Sequence, residues 1–207
     1  MSTKSDVLAE FGDIADLPEL IPQVFRDRFA LGPPAQYGIV CEDVPGGILR
    51  LESLGAAPFL YADTALPGWT ERGEPHEVTV LMALGYVDHE QVELLGAGTN
   101  TNHYVDKIPS DGGLAPHHVA IAQLGMSEAK PALSAAGYPP VVEIGMRIGS
   151  IYTVDVAYSG TRDELGFYLE ILEFTRFGKH APLTESLVSR IGKIQRALRR
   201  KNFGGKQ

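Results

Sequence analysis

The sequence contains a single cysteine, Cys41, among 207 residues. One cysteine excludes an intrachain disulfide framework and any metal site built from several thiolates. Because Cys41 lies in an apolar segment, we interpret it as a buried structural thiol. Long hydrophobic runs are missing too: no stretch approaches the length of a transmembrane helix, and the polar first residues MSTKSDVLAEFGD do not resemble a signal peptide. These absences predict a cytoplasmic protein with no membrane partner.

Positive charge is scarce, because 18 Lys and Arg residues face 26 Asp and Glu residues. A net charge of −8 argues against a nucleic-acid partner. From Ser186 onward the charged residues are all basic, namely Arg190, Lys193, Arg196, Arg199, Arg200, Lys201 and Lys206. We interpret this basic tail as a solvated helix face. Docking on the acidic body, or binding of a phosphorylated ligand, is the alternative.

Known nucleotide and serine-hydrolase motifs are absent as well, since there is no P-loop, no dinucleotide glycine fingerprint and no serine elbow. The sequence instead repeats itself. It reads QYGIVCEDVPGGILRLESLGAAPF from Gln36 and HVAIAQLGMSEAKPALSAAGYPPV from His118, 82 residues later. Gly55 and Gly137 keep the same offset, and the two halves end in the similar segments QVELL and YLEIL. This repeat predicts two copies of one structural module.

The first module reads as a strand, a helix and three further strands. A strand over 36–41 precedes a helix that Asp43 caps, with Pro45 in its first turn and Gly55 at its end. A strand near 59–61 and a hairpin turning at 88–90 follow. The polar stretch 63–75 reads as a loop, in which Trp69 either lines the substrate pocket or anchors the loop.

The second module repeats this order. A strand over 118–122 precedes a helix that Ser127 caps, with Pro131 in its first turn and Gly137 at its end. The three strands that follow are expected at 141–144, 148–158 and 167–172, with turns at 145–147 and 159–165.

Helical extensions flank the two modules. Residues 1–33 form the N-terminal one, in which Leu20, Ile21, Val24 and Phe25 recur at helical spacing. Residues 34–179 form the main domain, made of modules 34–96 and 115–179. Residues 180–207 form a basic C-terminal helix with the apolar stripe Leu187, Ile191, Ile194 and Leu198.

The sequence resembles the vicinal oxygen chelate superfamily in three features. These are the two tandem βαβββ modules, the opening-strand segment HHVAI at 117–121 and the closing-strand segment YLEIL at 168–172. That superfamily includes glyoxalase I, methylmalonyl-CoA epimerase, extradiol dioxygenases and bleomycin-resistance proteins. The resemblance covers about residues 36–174. It implies an α+β fold, in which the modules form one curved mixed sheet around a single cleft. It also implies a homodimer, in which each site is built from one chain or shared between two.

The resemblance further implies a metal in the cleft, held by the first and last strands of each module. By position the ligands are Gln36, Glu93, His118 and Glu170, the ligand types of glyoxalase I in the same order. One imidazole, one amide oxygen and two carboxylates suit Zn, Ni, Co or Mn, with Fe less suitable. Alternation along a strand predicts that one of His117 and His118 points into the cleft and the other away from it, and the resemblance implies that the one in the cleft is His118.

The implied function is a glyoxalase-like isomerase, epimerase or lyase. It acts on a small molecule with adjacent oxygens, at the carbon next to a carbonyl, through a chelated enolate. Glu170 is the first candidate for the catalytic base, and Glu93 is its near-symmetric counterpart. Glu173, three residues after Glu170, is a rival that is expected on the opposite face.

Two other functions stay open at this point. One is an Fe(II) extradiol-type dioxygenase, which favours two His and one carboxylate. The other is a non-catalytic ligand-binding protein of the bleomycin-resistance type. Structural or solvent roles are expected for the remaining histidines, His76, His89, His103 and His180, although His103 and Tyr104 lie where they can reach the cleft mouth.

Overall fold

The computed structural model describes residues 20–87, 89–148 and 151–203, which form one curled mixed sheet with helices packed against it. The strands are β1 (Gln36–Val40), β2 (Leu60–Leu66), β3 (Thr70–Glu71), β4 (Glu74–Pro75), β5 (Val78–Val87), β6 (Glu90–Leu95), β7 (Ala115–Ala122), β8 (Pro140–Ile148), β9 (Tyr152–Ser159), β10 (Tyr168–Arg176) and β11 (Lys179–His180). The α-helices are α1 (Gln23–Arg28), α2 (Val44–Ser53), α3 (Met126–Ala135), α4 (Arg162–Leu165) and α5 (Glu185–Phe203).

The predicted duplication is confirmed. In the sheet the strands follow the order β2-β5-β6-β1-β7-β10-β9-β8-β3-β4, with β11 beside β10. Within each module the first and last long strands pair in parallel, β1 with β6 and β7 with β10. The antiparallel pair of β1 and β7 joins the two modules at the centre of the sheet. The four strands that carry the predicted ligands are therefore adjacent.

The helix of the first module begins and ends as predicted. Asp43 Oδ1 accepts a hydrogen bond of 3.0 Å from the backbone N–H of Gly46, and Gly55 follows the helix with φ of 103°. The predicted cap of the second helix is wrong. α3 begins at Met126, and the carboxylate of Glu173 on β10 accepts bonds of 3.1 and 2.9 Å from the N–H groups of Gly125 and Met126. Pro131 consequently lies inside the helix.

The sheet curls until its two ends meet, which the prediction of a loop over 63–75 missed. β2 continues to Leu66, and β3 then crosses to pair with β8 of the other module. The crossing requires a glycine, because a Cβ at Gly68 would lie 2.1 Å from the backbone oxygen of Gly145. Trp69 is 1% exposed at this junction, as part of the inner wall.

One predicted turn of the second module is also wrong. The segment 145–147 lies inside β8, whose pairing with β9 runs without interruption from Ile144 to Ile148. The chain therefore reverses between Ile148 and Tyr152. Glycine at position 145 suggested a turn, but cross-strand pairing on a buried sheet overrides that local preference.

Two apolar cores lie on opposite faces of the sheet. The outer core packs strand residues such as Ile39 and Ile121 against Ile48, Leu51 and Leu133 of the helices. The inner core lines the concave face and includes Leu66, Trp69, Tyr104, Val156 and Tyr158. The inner face is therefore a walled space rather than a solvated surface.

The flanking helices differ from the predicted apolar stripes. In α1 Phe25 is buried but Val24 is 78% exposed, and the part of this prediction that falls on residues 1–19 lies outside the described residues. In α5 the predicted stripe is wrong, because Leu187, Ile194 and Leu198 are exposed while Val188 is buried.

Small and polar residues explain how α5 packs. A Cβ at Gly192 would lie 2.2 Å from the backbone oxygen of Pro58, so the absence of a side chain at Gly192 lets α5 pack closely against this backbone. The amide of Gln195 also bonds both the N–H and the C=O of Tyr61 on β2, each at 2.9 Å. No helix in the described part of the chain has the length and apolar character needed to cross a bilayer.

Candidate metal centre

Glu93, His118 and Glu170 converge on the concave face. His118 Nε2 lies 3.0 Å from Glu170 Oε2 and 3.3 Å from Glu93 Oε2. One potential ligand atom from each of the three residues lies within 4.8 Å of the others. All three side chains are buried. Because Glu93 comes from the first module and the other two from the second, one chain supplies the whole group.

A β-bulge places His117 beside His118, which corrects the predicted alternation. On β1 Gly38 pairs with His118 and Ile39 pairs with Pro116, so His117 is an extra residue on β7. A bulge breaks the alternation of side chains and re-aims them. Both rings consequently lie on the same side, and their Nδ1 atoms are 3.1 Å apart.

Gly38 leaves the space that the His118 ring occupies. A Cβ at this position would lie 1.9 Å from Cε1 and 2.1 Å from Nε2 of His118. Gly38 also pairs with Glu93 on its other side, so it stands between two of the three converging residues. The local sequence QYG thus provides two features of the site, the polar side chain of Gln36 and the space at Gly38 that the His118 ring occupies.

A chain of hydrogen bonds fixes which nitrogen of His118 faces the carboxylates. His117 Nε2 lies 3.1 Å from the carbonyl oxygen of His103, and a carbonyl only accepts, so this nitrogen carries the proton. Burial, followed by the charges of His118 and His103, lowers the pKa of His117 well below its usual range, so the ring is neutral. Its Nδ1 then accepts from His118 Nδ1–H, which leaves His118 Nε2 directed at Glu93 and Glu170.

The two carboxylates dominate the electrostatics of His118. Burial acts to lower its pKa, but the charges and hydrogen-bonding capacity of Glu170 and Glu93 outweigh it and raise the pKa to about 9. Burial also raises the pKa of Glu93, an effect that His118 partly offsets. Without a bound cation, therefore, the group holds its charge balance by a proton on His118.

The chemistry of these residues fits a divalent cation. His118 Nε2 and Glu170 Oε2 are buried, and neither has a well-aligned hydrogen-bond partner among the described residues despite their short separation. Once Nε2 has given up its proton, its lone pair and the carboxylate oxygens of Glu93 and Glu170 lie within 4.8 Å of one another, as ligands do around an ion. One imidazole and two carboxylates suit a borderline or hard divalent metal and neutralise its charge.

Gln36, the fourth predicted ligand, lies in the same cavity. It is 4% exposed and belongs to the row of side chains that runs from Gln91 across Gln36 and Ala120 to Glu170. The row places Gln36 on the same face as Glu170, two strands away, with β7 between them. Coordination by Gln36 stays a prediction.

Glu93 and Glu170 form the polar end of a cavity of about 340 Å³ inside the curled sheet, with His118 buried between them. Leu60, Met82, Ile144, Val154, Leu172 and Phe174 are among the apolar residues that line it. Tyr158 and Tyr104 line it beside the metal centre, with their hydroxyls 3.4 Å apart and the Tyr158 ring 5.2 Å from that of His118. Tyr104, which was expected within reach of the cleft mouth, thus lines the cavity. Tyr158 was not predicted from the sequence, although alternation through Val154 and Val156 points to it.

The remaining candidates have other roles. His103 is 8% exposed and packs among aromatic rings, so it does not reach a cleft mouth. Burial is the main cause that lowers its pKa to about 3. Its contribution to the site is the backbone carbonyl that contacts His117 Nε2. Glu173 points to the opposite face, as predicted. His89 and His180 are exposed, and His76 is half-buried.

No family model matches this sequence, and no curated protein matches it significantly. Solved structures do. Methylmalonyl-CoA epimerase from Mycobacterium tuberculosis aligns with a TM-score of 0.50 at 17% identity, over 73% of this chain and 90% of that one. The chain has the vicinal oxygen chelate fold.

Two other solved structures align with the chain. A hypothetical protein from Bacillus halodurans C-125 has a TM-score of 0.48 at 17% identity, covering 72% of this chain and 97% of that one. A triple mutant of 4-hydroxymandelate synthase from Streptomyces coelicolor has a TM-score of 0.49 at 9% identity, covering 79% of this chain and 54% of that one. The architecture that the resemblance implied, one curved sheet of two modules around one cavity, is confirmed by the strand order and by the alignment with the epimerase structure.

Proposed function

We propose that this protein is a metal-dependent enzyme that acts at a carbon next to a carbonyl, as an isomerase, epimerase or lyase of glyoxalase-like type. The observation that carries the proposal is the buried group in which His118 Nε2 lies 3.3 Å from Glu93 Oε2 and 3.0 Å from Glu170 Oε2, beside a cavity that both carboxylates line. Glu93, His118 and Glu170, with Gln36 as the fourth ligand, would hold Zn, Ni, Co or Mn. Such a cation supplies Lewis-acid stabilisation of an enolate oxygen.

The carboxylates provide the proton transfer that this chemistry needs. Glu170 is the proposed base and Glu93 its counterpart, since both flank His118 from opposite sides along the sheet. Burial raises the pKa of Glu93, which brings a carboxylate closer to the value that suits a general base near neutral pH. Glu93 and Glu170 are buried among mostly apolar walls, where their charges are screened less than at the surface.

The geometry disfavours the dioxygenase alternative. That chemistry favours two imidazoles and one carboxylate. Although His117 is adjacent to His118, both of its ring nitrogens are engaged, one with His118 and the other with the His103 carbonyl. One observation, the apolar lining of the cavity, favours the non-catalytic alternative. The two experiments below distinguish this alternative from the proposed enzyme.

Metal binding is the first test. The protein is stripped with chelator and its melting temperature is measured with Zn, Ni, Co, Mn and Fe(II) in turn, alongside elemental analysis of the untreated protein. We expect about one metal per chain and a raised melting temperature, since a ligand that binds the native state stabilises it. His118→Ala should lose both effects. The matched control, His180→Ala, alters an exposed histidine and should retain them.

Proton abstraction is the second test. The metal-loaded protein is incubated in D2O with a panel of 2-oxo and 2-hydroxy carbonyl compounds, and exchange at the carbon next to the carbonyl is followed by NMR. Glu170→Gln should abolish exchange in a variant that still folds, whereas Glu74→Gln, on the exposed β4, should not. Wild-type exchange in Glu170→Gln would remove the role assigned to this residue. Metal binding without exchange of any compound would favour a ligand-binding protein. The predicted homodimer is measurable by light scattering on the same samples.

A further inference from the structure

We propose that the substrate carries an uncharged, apolar group beside its two oxygens, and that the cavity selects against anionic substrates. This inference rests on the proposed function only for the oxygen-bearing end, which would bind at Glu93, His118 and Glu170. The apolar end is inferred from the walls alone.

The first observation is the charge of the walls. Among the described residues that line the cavity, the charged ones are Glu93 and Glu170, and none is Lys or Arg. A phosphate or carboxylate on the substrate tail would be buried without a counterion and close to two carboxylates. Burying an unpaired charge is strongly unfavourable. An anionic tail, such as that of a nucleotide-bearing carrier, therefore finds no partner here.

The second observation is that three polar wall groups near the candidate metal centre, those of Gln91, Tyr104 and Tyr158, already have protein partners. The hydroxyl of Tyr104 pairs with that of Tyr158, and the amide of Gln91 donates to Tyr86 Oη at 2.8 Å. A hydrogen-bonding substrate tail would have to displace these contacts. What the walls offer beyond the polar end is hydrocarbon surface, from residues such as Leu60, Met82 and Phe174.

The third observation is size. A volume of about 340 Å³ lies near the lower limit of small-molecule sites, which range from about 300 to 1,000 Å³. It holds a short alkyl chain or a single aromatic ring together with the chelating oxygens. On β2 the lining residue Ala62 is exposed and Thr64 half-buried, so the cavity meets solvent along this strand.

The experiment uses hydroxamates as probes, because each carries two adjacent oxygens on a variable tail. Isothermal titration of the metal-loaded full-length protein compares acetohydroxamate, hexanohydroxamate, benzohydroxamate and 4-carboxybenzohydroxamate. We expect hexano- and benzohydroxamate to bind at least tenfold more tightly than acetohydroxamate, and the carboxylated probe at least tenfold more weakly than benzohydroxamate. Equal affinities, or a preference for the carboxylated probe, would overturn the inference.

A charge placed in the wall sharpens the test. Met146 is a half-buried lining residue, so Met146→Lys introduces a cation without emptying the core. This variant should gain affinity for 4-carboxybenzohydroxamate and lose it for benzohydroxamate. Leu49→Lys, at a position on α2 that is 62% exposed, is the matched control and should behave as wild type. Thr64→Lys, also half-buried in the lining, replaces Met146→Lys if that variant fails to fold.

A metal-free arm separates this inference from the proposed function. Isothermal titration of the stripped protein compares hexanol with hexanoate, two probes of equal chain length that fit the cavity and differ in charge. Binding of hexanol at least tenfold more tightly than hexanoate supports the apolar, anion-excluding cavity even if no metal binds anywhere. Equal binding of the two probes, or no binding of hexanol, counts against it.

Discussion

The Nδ1 atoms of His117 and His118 lie 3.1 Å apart, at the point where β7 carries one residue more than β1. Since the His103 carbonyl holds the proton on His117 Nε2, the contact directs the lone pair of His117 toward His118. The orientation and tautomer of the candidate metal ligand thus depend on a neighbour that does not itself face the carboxylates.

Replacing His117 therefore tests this support directly. His117→Phe keeps a ring of similar size but removes the acceptor for His118 Nδ1–H, whereas His117→Asn keeps an acceptor at about the same place. Loss of such a partner typically weakens metal affinity about 10–100-fold. We expect a loss in this range for His117→Phe and a smaller loss for His117→Asn, measured by competition titration with Zn or Ni. Unchanged affinity in His117→Phe would show that packing alone orients His118.

Stability of the metal-free protein should fall as the pH rises from about 6.5 to 9. The pKa of His118 is raised to about 9 in the folded state, so the folded chain keeps a proton that the unfolded chain releases. This contribution is complete below the unfolded pKa and disappears as the pH passes the folded one. We expect the melting temperature to drop by about 5–10 °C across this window. His118→Ala should flatten the profile relative to His180→Ala.

Metal affinity should show the opposite trend over the same window. A cation binds the neutral imidazole, so it must displace the proton from His118 Nε2. Below about pH 9 the apparent dissociation constant of the metal should therefore fall by up to tenfold for each unit by which the pH rises. Titrations in buffers of different ionisation enthalpy would report the released proton. An affinity independent of pH between 7 and 9 would contradict coordination by His118.

Gly38→Ala should disrupt the centre from the opposite strand. The added Cβ would lie 1.9–2.2 Å from three atoms of the His118 ring, so the imidazole would have to leave its position. We expect at least a tenfold loss of metal affinity and a lower melting temperature. Gly96→Ala is the matched control, because its nearest atom would lie 3.5 Å away. If both alanine variants bind metal as wild type does, the His118 ring is not constrained by Gly38.

Predictions from the sequence succeeded where local and repeated signals agree. The caps at Asp43 and Gly55 and the duplicated module order are confirmed, and Glu93 and Glu170, which the resemblance implied as ligands, lie on one face. The segments HHVAI and YLEIL also supplied the resemblance that identified the fold. Each of these signals involves residues close together in the chain or repeated in it.

Predictions failed where a partner distant in sequence decides the structure. The bulge at His117 depends on the register between β1 and β7, and strand β3 forms only because β8 offers it an edge. Which side of α5 is exposed depends on the close packing of Gly192 against the backbone of Pro58. The spacing of apolar residues in the helix does not reveal this contact. Such contacts between modules are not encoded in the spacing of residues along one segment.

Glu170 and Glu173 lie three residues apart on β10 and serve opposite faces, so the two carboxylates can be separated by experiment. Glu173 accepts two backbone N–H bonds at the start of α3, where removal of such an acceptor costs about 1–2 kcal/mol. Glu173→Ala should lower the melting temperature by about 2–8 °C, equally with and without metal. Glu170→Ala should instead lose the increase in melting temperature that metal produces. Because Glu173→Ala retains that increase at a lower baseline, the pair distinguishes a structural carboxylate from a ligand. Loss of the increase in both variants would mean that the metal response reports general stability instead of binding at Glu170.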